Sequence, residues 1–409
     1  MNAEQEIDRA ANSPSLTATT VTVLTPPGRG AVASLAIAGP DAVQHISAHF
    51  ESLGKSSEVN PDNAPLIAAA DFVVNQIVVG YWRSPVGREQ VVIARRASDC
   101  FEVHCHGGRA AVEAIAVSLV QAGARQQDWQ AWIAARDEDP LAAAARRLLA
   151  DAPTLRTAGI LLDQVQGALS RAIADVRTLI AGQQRAAAAE QVQSLLDTIK
   201  LGAHLVDPWR VVLAGPPNAG KSSLINALVG YERSIVARLP GTTRDVLTVR
   251  TAIDGWPVEL ADTAGLSKTS DPLEQAGVAF AREQLTAADV VLWLMPCDGA
   301  AAKSIDAPTE IANRSILVRS KCDLLNDQSA ACPELPAIPT SARTGAGLPE
   351  LLAAISRQLV PHPPAPGSAV IFAIDQRNAC EQALEAIERG DWAEADRVLA
   401  TLCQQPTAE

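Results

Sequence analysis

Aromatic residues are scarce in this chain: Trp, Tyr and Phe make up 3% of its 409 residues. Because 48% of the residues are nevertheless apolar, aliphatic side chains and alanine must carry the cores, a composition that favours helix-rich packing. Cysteine is sparse too. The seven (Cys100, Cys105, Cys297, Cys322, Cys332, Cys380 and Cys403) are odd in number and lack the spacing of a small disulfide framework, which points to a reducing cytoplasm. Long hydrophobic runs are missing: stretches such as Val290 to Met295 fall far short of the roughly 18 residues of a membrane span, so no membrane association is expected. Basic residues are in the minority, 34 against 46 acidic, and the formal charge of −12 opposes nonspecific nucleic-acid binding. Residues 1–16 lack a basic segment followed by an apolar one and read as a loose tail, not a signal peptide.

What is present divides by pattern. The length predicts two or three domains. After a flexible tail over 1–19, residues 20–119 show alternating apolar runs (Val21 to Leu24, Val32 to Ile37, Val73 to Val79, Val91 to Ala94, Phe101 to Cys105) broken by Pro26-Pro27-Gly28, Gly39-Pro40 and Pro85. This predicts an N-terminal α+β domain. Residues 120–208 read as helical, with Leu161, Val165, Leu169, Ile173, Val176 and Ile180 at spacings of three and four. Residues 209–360 alternate short apolar strands with helices, the pattern of a parallel sheet wrapped by helices, and 361–409 return to helix after a proline-rich break. The expected architecture is an α/β P-loop domain inserted in a helical domain, plus the N-terminal α+β domain.

The strand candidate Arg210 to Ala214 runs straight into GPPNAGKSS (Gly215 to Ser223) and then a helical segment, the context a phosphate-binding loop requires. Gly215 and Gly220 allow the backbone N–H groups of the loop, through Asn218 and Ala219, to curl toward phosphate oxygens at a helix N-terminus. Lys221 brings a cation to the β and γ phosphates, Ser222 a hydroxyl to Mg²⁺, and Ser223 continues the first helical turn. Downstream, Asp262-Thr263-Ala264-Gly265 follows a strand candidate, where the aspartate can hold the metal's water shell and Gly265 can turn its N–H to the γ-phosphate. Between these segments lies GTTRD (Gly241 to Asp245), whose Thr243 is the candidate to close the Mg²⁺ shell.

Ser320-Lys321-Cys322-Asp323 follows a further strand candidate. A carboxylate there can accept from guanine N1 and N2, whereas adenine offers no such donor pair, so Asp323 selects guanine. Ser320 stands where asparagine is usual, and its shorter reach predicts weaker nucleotide binding. Ser341-Ala342-Arg343 would complete the base pocket with backbone N–H groups. The reaction implied is hydrolysis of GTP. Leu266 follows the DTAG glycine and cannot orient water, which leaves the carboxylates of Asp271, Glu274 and Glu283 as equal candidates for that task.

Taken together, GPPNAGKSS, SIVARLPGTTRD and DTAGLSKTSDPLE resemble the MnmE/TrmE family of tRNA-modification GTPases. TPPGRG (Thr25 to Gly30), CFEVHCHGG (Cys100 to Gly108) and DQVQGALSRAI (Asp163 to Ile173) extend the resemblance over most of the chain. It implies activation by K⁺, with Asn218 as a ligand and Ala237, Leu239 and Thr242 in the loop that wraps the ion, and it implies Glu274 as the catalytic carboxylate. It further implies a homodimer through the N-terminal and G domains, and modification of a tRNA wobble uridine with a flavoprotein partner and a tetrahydrofolate derivative.

The chain departs from the family where Ala36 replaces an expected arginine, where RPGEF is unrecognisable between Arg125 and Leu155, and in the sequence TLCQQPTAE in place of a terminal Cys-x-Gly-Lys. Folate binding is therefore in question, Glu102 being the one retained contact position, and Cys403 reads as incidental. Two functions stay open: a tRNA-modification GTPase, or a GTPase switch that binds a protein or ribosomal partner without that chemistry. Cys100, His104, Cys105 and His106 do not read as a metal site, because side chains alternate faces along a strand and no second ligand pair follows at zinc spacing.

Overall fold

The computed structural model describes residues 18–26, 28, 30–53, 72–137, 139–231, 248–262, 285–297, 309–324 and 337–404. The chain divides into two units, 1–138 and 139–409.

The first unit is a seven-stranded sheet in the order β3-β4-β5-β6-β2-β1-β7. Its strands are β1 (Thr20–Val23), β2 (Val32–Ala38), β3 (Phe50–Ser52), β4 (Ile77–Ser84), β5 (Gly87–Ala97), β6 (Cys100–His106) and β7 (Arg125–Gln127). Every pair is antiparallel except β1 with β7. Alternation puts Leu35, Ile37, Ile93, Phe101 and Val103 on one face, where they pack with Ile46 of helix α1 (Ala42–His49) and Ile115 and Leu119 of α2 (Arg109–Gln121). Trp82 is fully buried there and donates from Nε1 to Ser118 Oγ (2.9 Å), which donates on to Ile115 O (2.7 Å). The strand read over Val73 to Val79 instead begins at Ile77, because Asn75 turns with φ 69° and the extended run continues through Trp82. The unit also reaches past residue 119: β7 pairs with β1 and is followed by α3 (Trp129–Arg136).

The second unit opens with helices α4 (Pro140–Leu149), α5 (Leu155–Val165), α6 (Ala168–Ala181), α7 (Arg185–Leu196) and α8 (Ile199–Gly202). Asp139 and Thr154 cap α4 and α5 by accepting from the first free N–H groups. The periodic run from Leu161 to Ile180 spans two helices, since Gly167 (φ 84°) breaks it before α6, yet Leu161, Leu169, Ile173, Val176 and Ile180 all enter one core.

Between α8 and the last helices lies a six-stranded sheet in the order β13-β12-β11-β8-β10-β9. Its members are β8 (Trp209–Ala214), β9 (Thr248–Ile253), β10 (Trp256–Asp262), β11 (Val290–Pro296), β12 (Ser315–Ser320) and β13 (Ile338–Pro339), with helices α9 (Lys221–Tyr231) and α10 (Leu348–Leu359). All neighbours are parallel except β9, which runs antiparallel to β10. Val211 to Ala214 are buried without alternation, as expected of a parallel strand covered on both faces. Helices α11 (Ile374–Arg389) and α12 (Trp392–Thr401) then pack on α7 and α6 respectively. The returning chain is pinned by side chains: Gln164 Nε2 donates to Ser368 O (2.9 Å), Gln164 Oε1 accepts from Val370 N (3.2 Å), and Thr198 Oγ1 accepts from Ile371 N (2.9 Å). Arg177 grips Asp396 with two hydrogen bonds of 2.7 and 3.2 Å.

Candidate active site

Parallel strands deliver their following loops to one edge of a sheet. Here β8, β10, β12 and β13 end at Ala214, Asp262, Ser320 and Pro339, so among the described residues the phosphate loop, Asp262, Asp323 and Ser341 lie at one carboxyl edge. From β8 the chain builds β9 and β10 on one side and then crosses to β11 on the other, making β8 the point where strand order reverses, the usual seat of a ligand in such folds.

At that point Gly215 leaves the strand with φ 138°, and a Cβ there would run into the Leu294 carbonyl of β11. Asn218 (φ 63°) and Gly220 (φ 88°) adopt left-handed backbone, the curl that turns N–H groups inward as an anion cradle above the N-terminus of α9. Lys221 is 6% exposed and folds over this loop, Nζ donating to Gly215 O and Pro216 O at 3.1 Å each. Burial pushes its pKa below the ordinary value, and the nearby Asp262 carboxylate pulls the other way. An ammonium held desolvated beside such a cradle is suited to an anionic ligand. Ser222 Oγ donates to Asp262 Oδ2 at 2.6 Å, joining the first turn of α9 to the end of β10.

The base end is built from the loops after β12 and β13. Ser320 Oγ, buried, donates to Ala219 O at 2.6 Å and ties the base loop to the phosphate loop. Lys321 turns with φ 60° ahead of a short 3-10 turn, Cys322–Leu324, that carries Asp323. Asp323 Oδ1 accepts from Ser341 Oγ (2.6 Å), and Oδ2 lies 3.0 Å from Arg343 Nε. These contacts, the Ser341 hydroxyl foremost, hold the Asp323 carboxyl below its usual range, so it is ionised wherever the fold persists near neutrality. Ser341 N donates to Ala346 O (2.9 Å), so this residue meets Asp323 through its hydroxyl, a role the sequence did not disclose. Ala342 follows in the same turn. Ala237, Leu239, Thr242, Thr243, Thr263, Ala264, Gly265, Leu266, Asp271, Glu274 and Glu283 lie outside the described residues.

The first unit holds a second polar group. Ser34 on β2 faces His104 on β6, Oγ and Nδ1 sharing a hydrogen bond of 2.8 Å, while Arg96 donates twice to Glu102 Oε2 (2.9 and 2.7 Å). Cys105 points to the opposite, core face, its thiol pushed up to about 11 chiefly by burial, and His106 pairs with Glu89.

Residues 210–321 match the family described as 50S ribosome-binding GTPase, and residues 19–128 match the GTP-binding protein TrmE N-terminus. The tRNA modification GTPase MnmE of Chlamydia trachomatis serovar L2 is 29% identical over 371 residues, covering 83% of this chain and 81% of that protein. The chain belongs to the MnmE/TrmE family. The MnmE of Koribacter versatilis is 28% identical over 407 residues, with 90% of this chain and 88% of that protein covered. For Bradyrhizobium sp. the identity rises to 41% over 192 residues, 46% of this chain and 40% of that protein. This MnmE/TrmE family member is accordingly a GTP-binding protein and a GTP hydrolase. Among the described residues no helix is long and apolar enough to cross a membrane.

Proposed function

We propose that this chain hydrolyses GTP in a K⁺-stimulated reaction that serves modification of a tRNA wobble uridine, with its G domain inserted in a cytoplasmic protein's helical domain. The observation that carries the reading is the convergence of Lys221, the Ser222–Asp262 pair and Asp323 on one sheet edge within a family member. Lys221 would hold the β and γ phosphates, and the N–H groups of Ala342 and Arg343 would meet the guanine oxygen while Asp323 accepts from N1 and N2. Ser222 and Asp262 form a set of hard oxygen donors that fits Mg²⁺, with Thr243 completing it; the ion would neutralise charge on the phosphates. Asn218, Ala237, Leu239 and Thr242 would hold K⁺, and Glu274 would orient the attacking water.

By resemblance the protein acts as a homodimer with a flavoprotein partner. The residues present do not fit the tetrahydrofolate derivative of that scheme: Ala36 stands opposite Glu102 in the register, and Arg96 already holds the Glu102 carboxylate. No step is derived through it. A second reading, a switch acting on the ribosome, is favoured only by the description of the family matched over residues 210–321.

GTP turnover by the purified protein in potassium and in sodium buffer tests the proposal. Strong potassium stimulation that Glu274→Ala abolishes while GTP still binds is the expected result. Equal slow rates in both salts would reject it, and cosedimentation with ribosomes in the GTP state only would favour the second reading.

A further inference from the structure

We infer that the Arg343 side chain is a built-in guanine mimic, occupying the base-reading carboxylate until nucleotide displaces it. The inference rests on the reading of Asp323 as the guanine acceptor. Asp323 has two oxygens to offer; Oδ1 accepts from the buried Ser341 hydroxyl at 2.6 Å and keeps a second acceptor site. Oδ2 is taken by Arg343 Nε at 3.0 Å. Guanine presents N1–H and N2–H as adjacent donors in one plane, and a guanidinium presents Nε–H and Nη–H in the same arrangement. The two therefore compete for one acceptor.

The accessibilities fit an exchange. The Asp323 side chain is 12% exposed and fixed, whereas that of Arg343 is 76% exposed and can swing into solvent without disturbing the loop. An ion pair this exposed is weak, so it can be displaced by a base that supplies its own donors. Removing the side chain leaves the Arg343 backbone N–H in place. The competition also predicts a sign opposite to the ordinary expectation, in which a cation at the rim draws in an anionic nucleotide and its loss slows association.

Stopped-flow association of fluorescent GDP with wild type and Arg343→Ala reads this sign. The inference expects association to accelerate about two- to fivefold, the range an exposed ion pair spans. An unchanged or slower rate overturns it. The Asp323→Asn background separates the inference from its premise: a carboxamide should accept from N1–H and donate to the 2-carbonyl of xanthine, so this variant should bind fluorescent xanthosine diphosphate. In that background Arg343→Ala should leave xanthosine diphosphate association unchanged. An equal acceleration there would show that Arg343 does not act through the carboxylate and would overturn the inference. Failure of Asp323→Asn to gain xanthosine diphosphate binding, with wild type still binding GDP, would instead remove the premise that Asp323 reads the base.

Discussion

The two sheets of this molecule collect polar side chains in opposite ways. The antiparallel sheet of the first unit alternates faces, so Ser34 and His104 of its polar group meet by cross-strand register, while Arg96 reaches Glu102 from the bulge near the end of β5. In the mostly parallel sheet of the second unit the central strand β8 is buried on both faces, and the polar residues of the site lie at the carboxyl edge, where strands end and loops begin. The lesson is that a loop site keeps its residues in contiguous motifs, while a face site scatters them at every second position of strands far apart in sequence.

Substitutions can break or sharpen this contrast, and the largest effect is expected at the carboxyl edge. Lys221→Met should weaken GTP binding at least about a hundredfold, since charge-assisted bonds to phosphate are lost. The free variant should melt no lower than wild type. Because burial lowers the pKa of Lys221, its charge costs stability at neutral pH, and that cost fades as pH rises through the ordinary lysine value of 10.5. Calorimetry of the free proteins, with GTP titrations, checks both statements; a clear loss of stability would mean the lysine serves the fold.

Next in size is Gln164→Ala, which orphans a buried N–H and a half-buried carbonyl where the chain returns to the helices and should cost about 2–4 kcal/mol in denaturant unfolding. Ser118→Ala in the first unit leaves the Trp82 Nε1–H without its acceptor and should cost about 1–2 kcal/mol, with GDP affinity held within about twofold. A large change in GDP binding would refute the separate working of the two sheets. Smallest is Ser320→Ala, which removes the 2.6 Å tie to the phosphate loop and should lower GDP affinity about three- to tenfold by isothermal titration.

The same contrast explains what could be read from sequence. Gly215 to Ser223 is contiguous, and strand, loop and helix each declare themselves, so the cradle and Lys221 were legible. Ser222 and Asp262 each read as serving the metal, and the direct bond between them is visible only in the fold. Less is visible where pairing decides: β7 is three polar residues with no apolar signal, so the sequence pattern ends the first unit at 119 although Arg125–Gln127 joins its sheet. The antiparallel direction of β9 leaves no mark in its composition. Ser34 and Arg96 drew no notice because only register brings them to His104 and Glu102. At the base end the length of Ser320 is plain in the sequence, but its bond to the Ala219 carbonyl depends on an approach of two loops that only the fold creates.

The central claim is that one sheet edge reads a guanine nucleotide, phosphate at Lys221 and base at Asp323. Equilibrium binding of GDP, ADP and xanthosine diphosphate to wild type and Asp323→Asn tests it most directly. The account predicts that wild type prefers GDP over both others by more than about a hundredfold, and that Asp323→Asn transfers the preference to xanthosine diphosphate. An Asp323→Asn protein that still prefers GDP by the wild-type margin would contradict it.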